Sequence, residues 1–61
     1  MTRILFVDDE PNVLSGLRRM LRDMRHLWDM SFVNSGMEAI NLLAQERFDI
    51  IVSDMRMPVI D

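Results

Sequence analysis

The sequence predicts an α/β fold in which three strands alternate with two helices in the order β-α-β-α-β. Three observations lead to this prediction: short apolar runs of strand length, helical apolar stripes between them, and short polar connections. Because helical crossovers join successive strands, the sheet should be parallel. A unit of this topology is expected to order its strands 2-1-3.

The first strand is predicted at residues 4–7, a continuous apolar run that stops at Asp8, Asp9 and Glu10. Such a run fits a strand that is buried on both faces, as strands of parallel sheets are. Pro11 then suits the first turn of a helix, where its missing N–H leaves no bond unmade. Apolar residues recur after it at helical spacing and predict one inward stripe, formed by Val13, Leu14, Leu17, Met20, Leu21 and Met24.

Two further features of this first helix carry expectations. Gly16 should weaken the helix slightly and mark a close approach of another element. The arginines at positions 18, 22 and 25 lie opposite the apolar stripe and are expected to form a solvated face.

The second strand is predicted at residues 28–33, where large apolar residues alternate with small or polar ones, a pattern typical of a sheet edge. Ser35 followed by Glu38 forms a capping box and predicts the start of the second helix. That helix should close near Phe48 and Asp49. Its inward face is expected to consist of Met37, Ile40, Leu43 and Ala44, helped by Ala39 and Leu42.

The third strand is predicted at residues 50–52, which are again continuously apolar, and it ends at Ser53 and Asp54. Residues 55–61 contain Pro58 and are expected to form a loop. There are no repeats, linkers or low-complexity tracts, so residues 1–61 are interpreted as one unit.

Composition narrows the possible functions. The formal charge is −3, and all seven basic residues are arginine, which disfavours nucleic-acid binding through phosphate contacts. No apolar run reaches the roughly 20 residues that span a bilayer, and no signal peptide is recognisable. The sequence has no cysteine, and one histidine alone cannot build a zinc site. The default expectation is a cytoplasmic location.

Acidic residues follow two of the three predicted strands. Asp8 and Asp9 come after the first strand and Asp54 after the third. If these strands are neighbours, three carboxylates meet at the carboxyl edge of the sheet, where open α/β sheets bind ligands. A hard divalent cation such as Mg²⁺ would relieve their repulsion. The alternative is structural: acids after a strand are often solvated loop residues, or favourable neighbours of a helix N-terminus.

Three segments resemble one family closely. Residues 4–11 (ILFVDDEP) look like the opening of bacterial two-component response-regulator receiver domains, the CheY-like superfamily. Residues 49–61 (DIIVSDMRMPVID) look like the phosphorylation-site segment of that family, and residues 35–39 (SGMEA) resemble the start of its second helix. The resemblance covers the chain from Ile4 to Asp61, and it implies a flavodoxin-like, doubly wound parallel sheet.

The resemblance also implies roles for particular residues. Asp54 would accept a phosphoryl group from a sensor histidine kinase, in a transfer that depends on positioning and charge neutralisation. Asp9 and Asp54 would ligate Mg²⁺ directly, and Asp8 would act mainly through a metal-bound water. The backbone carbonyl of Arg56 would be a further ligand. The module would be a signalling device and not a turnover enzyme, followed in its parent protein by an output domain.

The sequence departs from the family in one respect. Receivers use a Ser/Thr after the fourth strand and a Lys after the fifth to read the phosphoryl group, and this chain has no lysine and stops before a fourth strand. Residues 1–61 are therefore expected to be the N-terminal half of a receiver, unable to switch alone. An alternative is a self-associating half-domain, a homodimer or swapped oligomer, in which a second copy covers the third strand. A metal-dependent hydrolase using the same acids is disfavoured, because no general base or substrate cleft is recognisable.

Overall fold

The computed structural model describes residues 1–53, which form a three-stranded parallel sheet with two α-helices. The sheet order is β2-β1-β3, so the predicted fold class and strand order are confirmed. The elements follow the chain in the order β1 (Thr2–Val7), α1 (Pro11–Met20), a short 3₁₀ helix (Arg22–Met24), β2 (Trp28–Val33), α2 (Gly36–Gln45) and β3 (Ile50–Ser53).

The central strand β1 has a helix on each of its faces. Ile4 and Phe6 pack with Leu14 of α1 on one side of the sheet. Leu5 and Val7 point the other way, and they form a second cluster with Ala39 of α2. Because side chains alternate along a strand, a continuously apolar run supplies both clusters at once.

On the α1 side, the core continues across β2. The rings of Phe6 and Phe32, which are opposite each other in the ladder, stack with centroids 4.9 Å apart. The guanidinium of Arg18 lies 4.8 Å from the centroid of the Phe32 ring and covers this end of the cluster. Trp28 and Met30 are only half-buried, as the alternating pattern of an edge strand predicts.

Helix α1 is shorter than its apolar stripe. The α-helix ends at Met20, and the chain tightens into the 3₁₀ turn that carries Met24. Of the predicted stripe only Leu14 is buried, whereas Met20 is 75% exposed. The close approach expected at Gly16 was wrong, because a methyl group at this position would have no neighbour within 4 Å among the described residues.

Helix α2 begins as predicted, but it is rotated relative to the expected inward face. The Ser35 hydroxyl accepts a hydrogen bond from the Glu38 N–H at 3.1 Å, which confirms the cap. The small residues Gly36 and Ala39 face the sheet, whereas Met37 is 61% exposed. Small side chains let a helix approach a sheet closely. The sequence did not indicate this face, because the polar residues of α2 occupy only one side of the helix and leave several apolar sides. The four residues expected inside are exposed instead, namely Met37, Ile40, Leu43 and Ala44.

The alignment of β3 with β1 is held at the start of both strands. The Arg3 N–H donates to Asp49 Oδ2, and the Asp49 N–H donates to the Arg3 carbonyl, both at 2.8 Å. Asp49 therefore belongs to the approach to β3, not to the end of α2. Four residues further along each strand, Val7 stands opposite Ser53.

The Arg3 side chain links β1 to β2 and to the segment between α2 and β3. It forms salt bridges with Asp29 of β2 and with Glu46, which follows α2, and it donates to the Arg47 carbonyl at 2.8 Å. Its guanidinium also lies 4.7 Å from the Phe48 ring centroid. The pKa of Arg3 is raised above its ordinary value, mainly by the hydrogen bond to Glu46, while desolvation opposes the shift.

Strand β3 pairs with β1 on one side and forms an edge of this sheet. Its three apolar residues are each about half exposed, although they alternate between the two faces: Ile50, Ile51 and Val52. Neither helix covers β3, which explains why a continuous apolar run is buried in β1 and remains exposed here.

Candidate functional site

The predicted acidic site begins where β1 ends. The Asp8 N–H donates to the Val33 carbonyl at 3.2 Å, so the backbone is still held by β2 at this position. The Asp8 side chain then folds back, and its Oδ1 accepts a hydrogen bond from the Glu10 N–H at 2.9 Å. This short turn fixes the direction in which the chain leaves the sheet and enters α1.

The two aspartates differ in their surroundings. Asp8 is partly buried, whereas Asp9 is exposed. Neither forms a salt bridge within residues 1–53, where both ion pairs belong to Arg3. The acids precede the N-terminus of α1, where the helix dipole favours negative charge. The residue at the cap position, Glu10, forms no side-chain hydrogen bond to the helix. The structural interpretation of these acids and the functional one are therefore compatible.

The third strand ends beside this turn. Ser53 is the ladder partner of Val7, which means that β1 and β3 reach the carboxyl edge of the sheet at the same level. The next residue after Val7 is Asp8, and the next after Ser53 is Asp54. Asp54 and Arg56 lie outside the described residues, so the expected distances from Asp54 to Asp8 and Asp9 stay predictions.

The donor set fits a hard cation in part. Asp8 and Asp9 offer carboxylate oxygens, the ligand type that Mg²⁺ prefers, at an edge where Asp9 is open to solvent. Within residues 1–53 no group of three acidic, histidine or cysteine side chains converges on one point. The third carboxylate of the predicted set is Asp54, so these residues are compatible with the ion without forming its whole site.

Other predictions concern residues away from this edge. His26, the single histidine, is exposed in the turn before β2. No helix in the described part of the chain is long and apolar enough to cross a membrane. The role of Arg3 was missed, because its partners Asp29, Glu46 and Asp49 come from distant segments and leave no periodic signal.

Comparison with known proteins identifies the family. The family model described as "Response regulator receiver domain" matches residues 4–61. The two-component response regulator ORR21 of Oryza sativa subsp. indica is 38% identical over 61 residues, which are 97% of this chain and 8% of that protein. The response regulator GacA of Pseudomonas viridiflava is 35% identical over 58 residues, 95% of this chain and 27% of that protein.

A third relative is named as a sensor protein. The sensor protein GacS of Pseudomonas syringae pv. syringae is 37% identical over 59 residues, 97% of this chain and 6% of that protein. The chain thus spans only a small share of the length of these relatives. Because the family model covers nearly all of residues 1–61, the chain belongs to the response regulator receiver domain family.

Proposed function

We propose that this chain is a phosphoacceptor module of two-component signalling, in which Asp54 accepts a phosphoryl group from a sensor histidine kinase. The observation that carries the proposal is the register of β1 and β3, which sets Ser53 opposite Val7. Consecutive Cα atoms are about 3.8 Å apart, so Asp54 must follow Ser53 closely. This favours a common acidic site for Asp54 and the Asp8–Asp9 pair.

The proposed reaction is a single transfer. A carboxylate oxygen of Asp54 attacks phosphorus, the P–N bond to the kinase histidine breaks, and an acyl phosphate forms while the histidine nitrogen takes a proton. In this proposal the carboxylates of Asp8, Asp9 and Asp54 are assigned to the cation and the phosphoryl group, so none of them is left as a general base for turnover of an external substrate. The module is therefore proposed to be a signalling device rather than an enzyme.

Mg²⁺ is the proposed cofactor. Asp9, Asp54 and the carbonyl of Arg56 would hold it directly, and Asp8 would act through water. When bound, the ion supplies the positive charge that lets carboxylates and a phosphoryl group share a small space. The hydrogen bond from the Glu10 N–H to Asp8 supports this division, because one oxygen of Asp8 already has a partner.

The test uses phosphoramidate, a small donor with the same P–N bond, and the complete protein that contains residues 1–61. With Mg²⁺, intact mass spectrometry should show one added phosphoryl group on the wild type and none on Asp54→Asn. Asp23→Asn is the matched control, because Asp23 is exposed on the 3₁₀ helix and away from the acidic edge. Modification of Asp54→Asn to the wild-type extent would disprove the assignment.

We further propose that residues 1–61 are the N-terminal half of a receiver whose remainder carries the readout residues and an output domain. The half-exposed residues of β3 support this extent, because another strand and helix would cover them. The relatives named as response regulators, which this chain covers only in part, are consistent with it. A 61-residue chain alone would then accept a phosphoryl group without switching.

The same β3 surface favours a second candidate function, self-association of this chain as a homodimer or swapped oligomer. Within residues 1–53 the outer edge of β3 has no strand partner, and its apolar residues lie on both faces; a second copy would cover both features. Light scattering coupled to size exclusion at micromolar concentration should show a dimer or a larger species. A folded monomer of 7.2 kDa would exclude this candidate and leave the phosphoacceptor proposal untouched.

A further inference from the structure

The edge of the sheet opposite β3 is formed by β2, which pairs with β1 on one side and has no partner on the other within residues 1–53. All six of its residues pair with β1 without interruption, so the strand carries no bulge. It contains no proline, and its one charged residue is Asp29. Edge strands are usually protected from a further strand by prolines, bulges or several charges. Because β2 has little of this protection, its edge is suited to accept another strand.

The hydrogen bonding at the end of β2 shows which of its backbone groups are available. The Val33 carbonyl accepts from the Asp8 N–H, so the backbone groups of Val33 point toward β1. Successive residues of a strand direct these groups to opposite sides, and those of Met30 and Phe32 therefore point away from β1. The side chains of the same two residues lie on the α1 side of the sheet. An added antiparallel strand would bond to these two residues, and its own residues opposite them would also face α1.

The α1 side of this edge is both basic and apolar. A depression of about 270 Å³ runs beside β2, and its lining includes Arg18, Arg25, Trp28, Met30 and Phe32. The Arg18 guanidinium lies over the Phe32 ring at one end, and Arg25 shortly precedes Trp28 at the other. These arginines and Arg22 are exposed, as expected for a solvated face, and none of them forms a salt bridge within residues 1–53. Acidic side chains of an added strand would find a cation at each end of the depression.

The α2 side of the same edge has the opposite charge. The side chain of Asp29 alternates with those of Trp28 and Met30, and its Oδ2 lies 3.2 Å from Arg3 Nε on the α2 side. A carboxylate on that side of an added strand would lie near the carboxylate of Asp29, which disfavours it. The edge therefore favours a strand whose acidic side chains all face α1.

The positions of the arginines set the spacing of those acids. Trp28 and Phe32 are four residues apart, which is about 13 Å at the rise of a strand. Acidic residues at i and i+4 of an antiparallel strand, opposite Phe32 and Trp28, would reach Arg18 and Arg25. Residue i+2 would lie opposite Met30, where an apolar side chain fits.

Charge argues against a second copy of this chain as the added strand. An antiparallel pair of β2 strands would bring residues 18–25 of both copies to the same side of the joined sheet. Each of these segments contains four arginines and one aspartate, a local charge of +3. Their mutual repulsion would oppose the pairing, whereas an acidic segment of another protein would neutralise the same surface.

We propose that the β2 edge binds an extended acidic segment of a partner protein as an additional antiparallel strand. The segment carries acidic residues at i and i+4 and an apolar residue at i+2, all on the side that faces α1. Antiparallel pairing is favoured because parallel pairs are slightly less stable per residue. The interaction is independent of the proposed phosphoacceptor function and of the proposed covering of β3, since it uses the other edge of the sheet.

The first test is a titration of the complete protein that contains residues 1–61 with a labelled, end-blocked peptide of sequence ETVTE, followed by fluorescence anisotropy. Its two glutamates and its valine share one side of an extended chain. The same residues in the order ETVET place the second glutamate on the other side, so this peptide should bind about fivefold more weakly.

Methylation of the peptide backbone tests strand addition without altering the protein. A methyl group on the valine nitrogen removes an N–H that points toward β2 in the proposed arrangement, and it should weaken binding about tenfold. A methyl group on the nitrogen of the following threonine removes an N–H that points to solvent. That change should weaken binding less than about threefold.

Two variants of the protein test the charge pairing. Arg25→Gln should weaken binding of ETVTE up to about fivefold, the range of one exposed charge pair. Arg47→Gln removes the same charge from an exposed position outside the depression and should change the affinity less than about twofold.

Several results would overturn the proposal. Absence of ETVTE binding would remove the acidic strand as a ligand, and equal effects of the two methyl groups would exclude antiparallel strand addition. Equal binding of ETVET, or equal weakening by Arg25→Gln and Arg47→Gln, would show that only net charge matters. An apparent affinity that falls as the protein concentration rises would assign the β2 edge to a second copy of the chain.

Discussion

Two isoleucines at paired positions test how much of the sheet is covered in this chain. Ile4 of β1 and Ile50 of β3 are ladder partners and line the same side of the sheet. They nevertheless differ in burial, because Ile4 is 5% exposed and Ile50 is 48% exposed. Replacing each by alanine removes the same atoms from neighbouring positions, so the two losses of stability can be compared directly.

The expected magnitudes follow from these exposures. Ile4→Ala leaves a cavity in a closed cluster and should lower the free energy of unfolding by about 3 kcal/mol. Ile50→Ala removes about three carbons that are half in water already, and at ~0.8 kcal/mol per buried CH₂ it should cost about 1 kcal/mol. The core of a chain of this size rarely supplies more than about 3–5 kcal/mol of stability. If Ile4→Ala leaves too little folded protein to measure, Ile4→Val and Ile50→Val replace the alanine variants. They should lower the free energy of unfolding by about 1 and about 0.4 kcal/mol.

The assay is urea unfolding of the 61-residue chain, followed by circular dichroism and Trp28 fluorescence at low protein concentration. Equal losses for the Ile4 and Ile50 variants under these conditions would refute the reasoning, because they would mean that the β3 face is covered. The proposed self-association adds a second expectation: the loss for Ile50→Ala should grow as the protein concentration rises, since a second copy would then bury Ile50.

Four further outcomes are expected. Ser35→Ala should lower the stability by about 1 kcal/mol in urea unfolding, because the hydroxyl caps α2. Gly16→Ala should raise the stability by roughly 0.5–1 kcal/mol in the same assay, since the new methyl group meets no described atom within 4 Å. Asp9→Asn should weaken Mg²⁺ binding in a calorimetric titration, whereas Asp23→Asn should not. Asp49→Ala, which removes the side-chain bond to Arg3 that helps to align β3, should slow phosphorylation by phosphoramidate; an unchanged rate would deny that this bond matters to the site.

The element order was predictable because each signal was local. The apolar run of β1, the proline that opens α1 and the cap at Ser35 each determine their own few residues, and all three are confirmed. The strand order 2-1-3, expected for half of the flavodoxin-like sheet that the family resemblance implies, is confirmed as well. Residue propensity and hydrophobic periodicity were sufficient to predict an element wherever both indicated the same secondary structure.

The inward face of α2 was not predictable, because the helix is apolar on several sides. Periodicity finds a face only when polar residues occupy the others. Here Ala39 packs against the sheet and Ile40, the next residue, is about half exposed. The inward face of α2 was assigned wrongly because this helix has more apolar surface than residues 1–53 bury.

The candidate site depends on a register that the sequence pattern leaves open. Residues 50–52 are apolar on both faces, so shifting β3 by one residue against β1 would preserve the hydrophobic pattern while moving the strand end by about 3.3 Å. The paired hydrogen bonds of Arg3 and Asp49 distinguish between these registers, because they form only when the two residues are level. Their choice sets Ser53 opposite Val7 at the other end of the strands. Contacts at the amino edge of the sheet thus determine the level at which β3 reaches the acidic edge. The proposed chemistry depends on this alignment, which the periodicity of the sequence does not reveal.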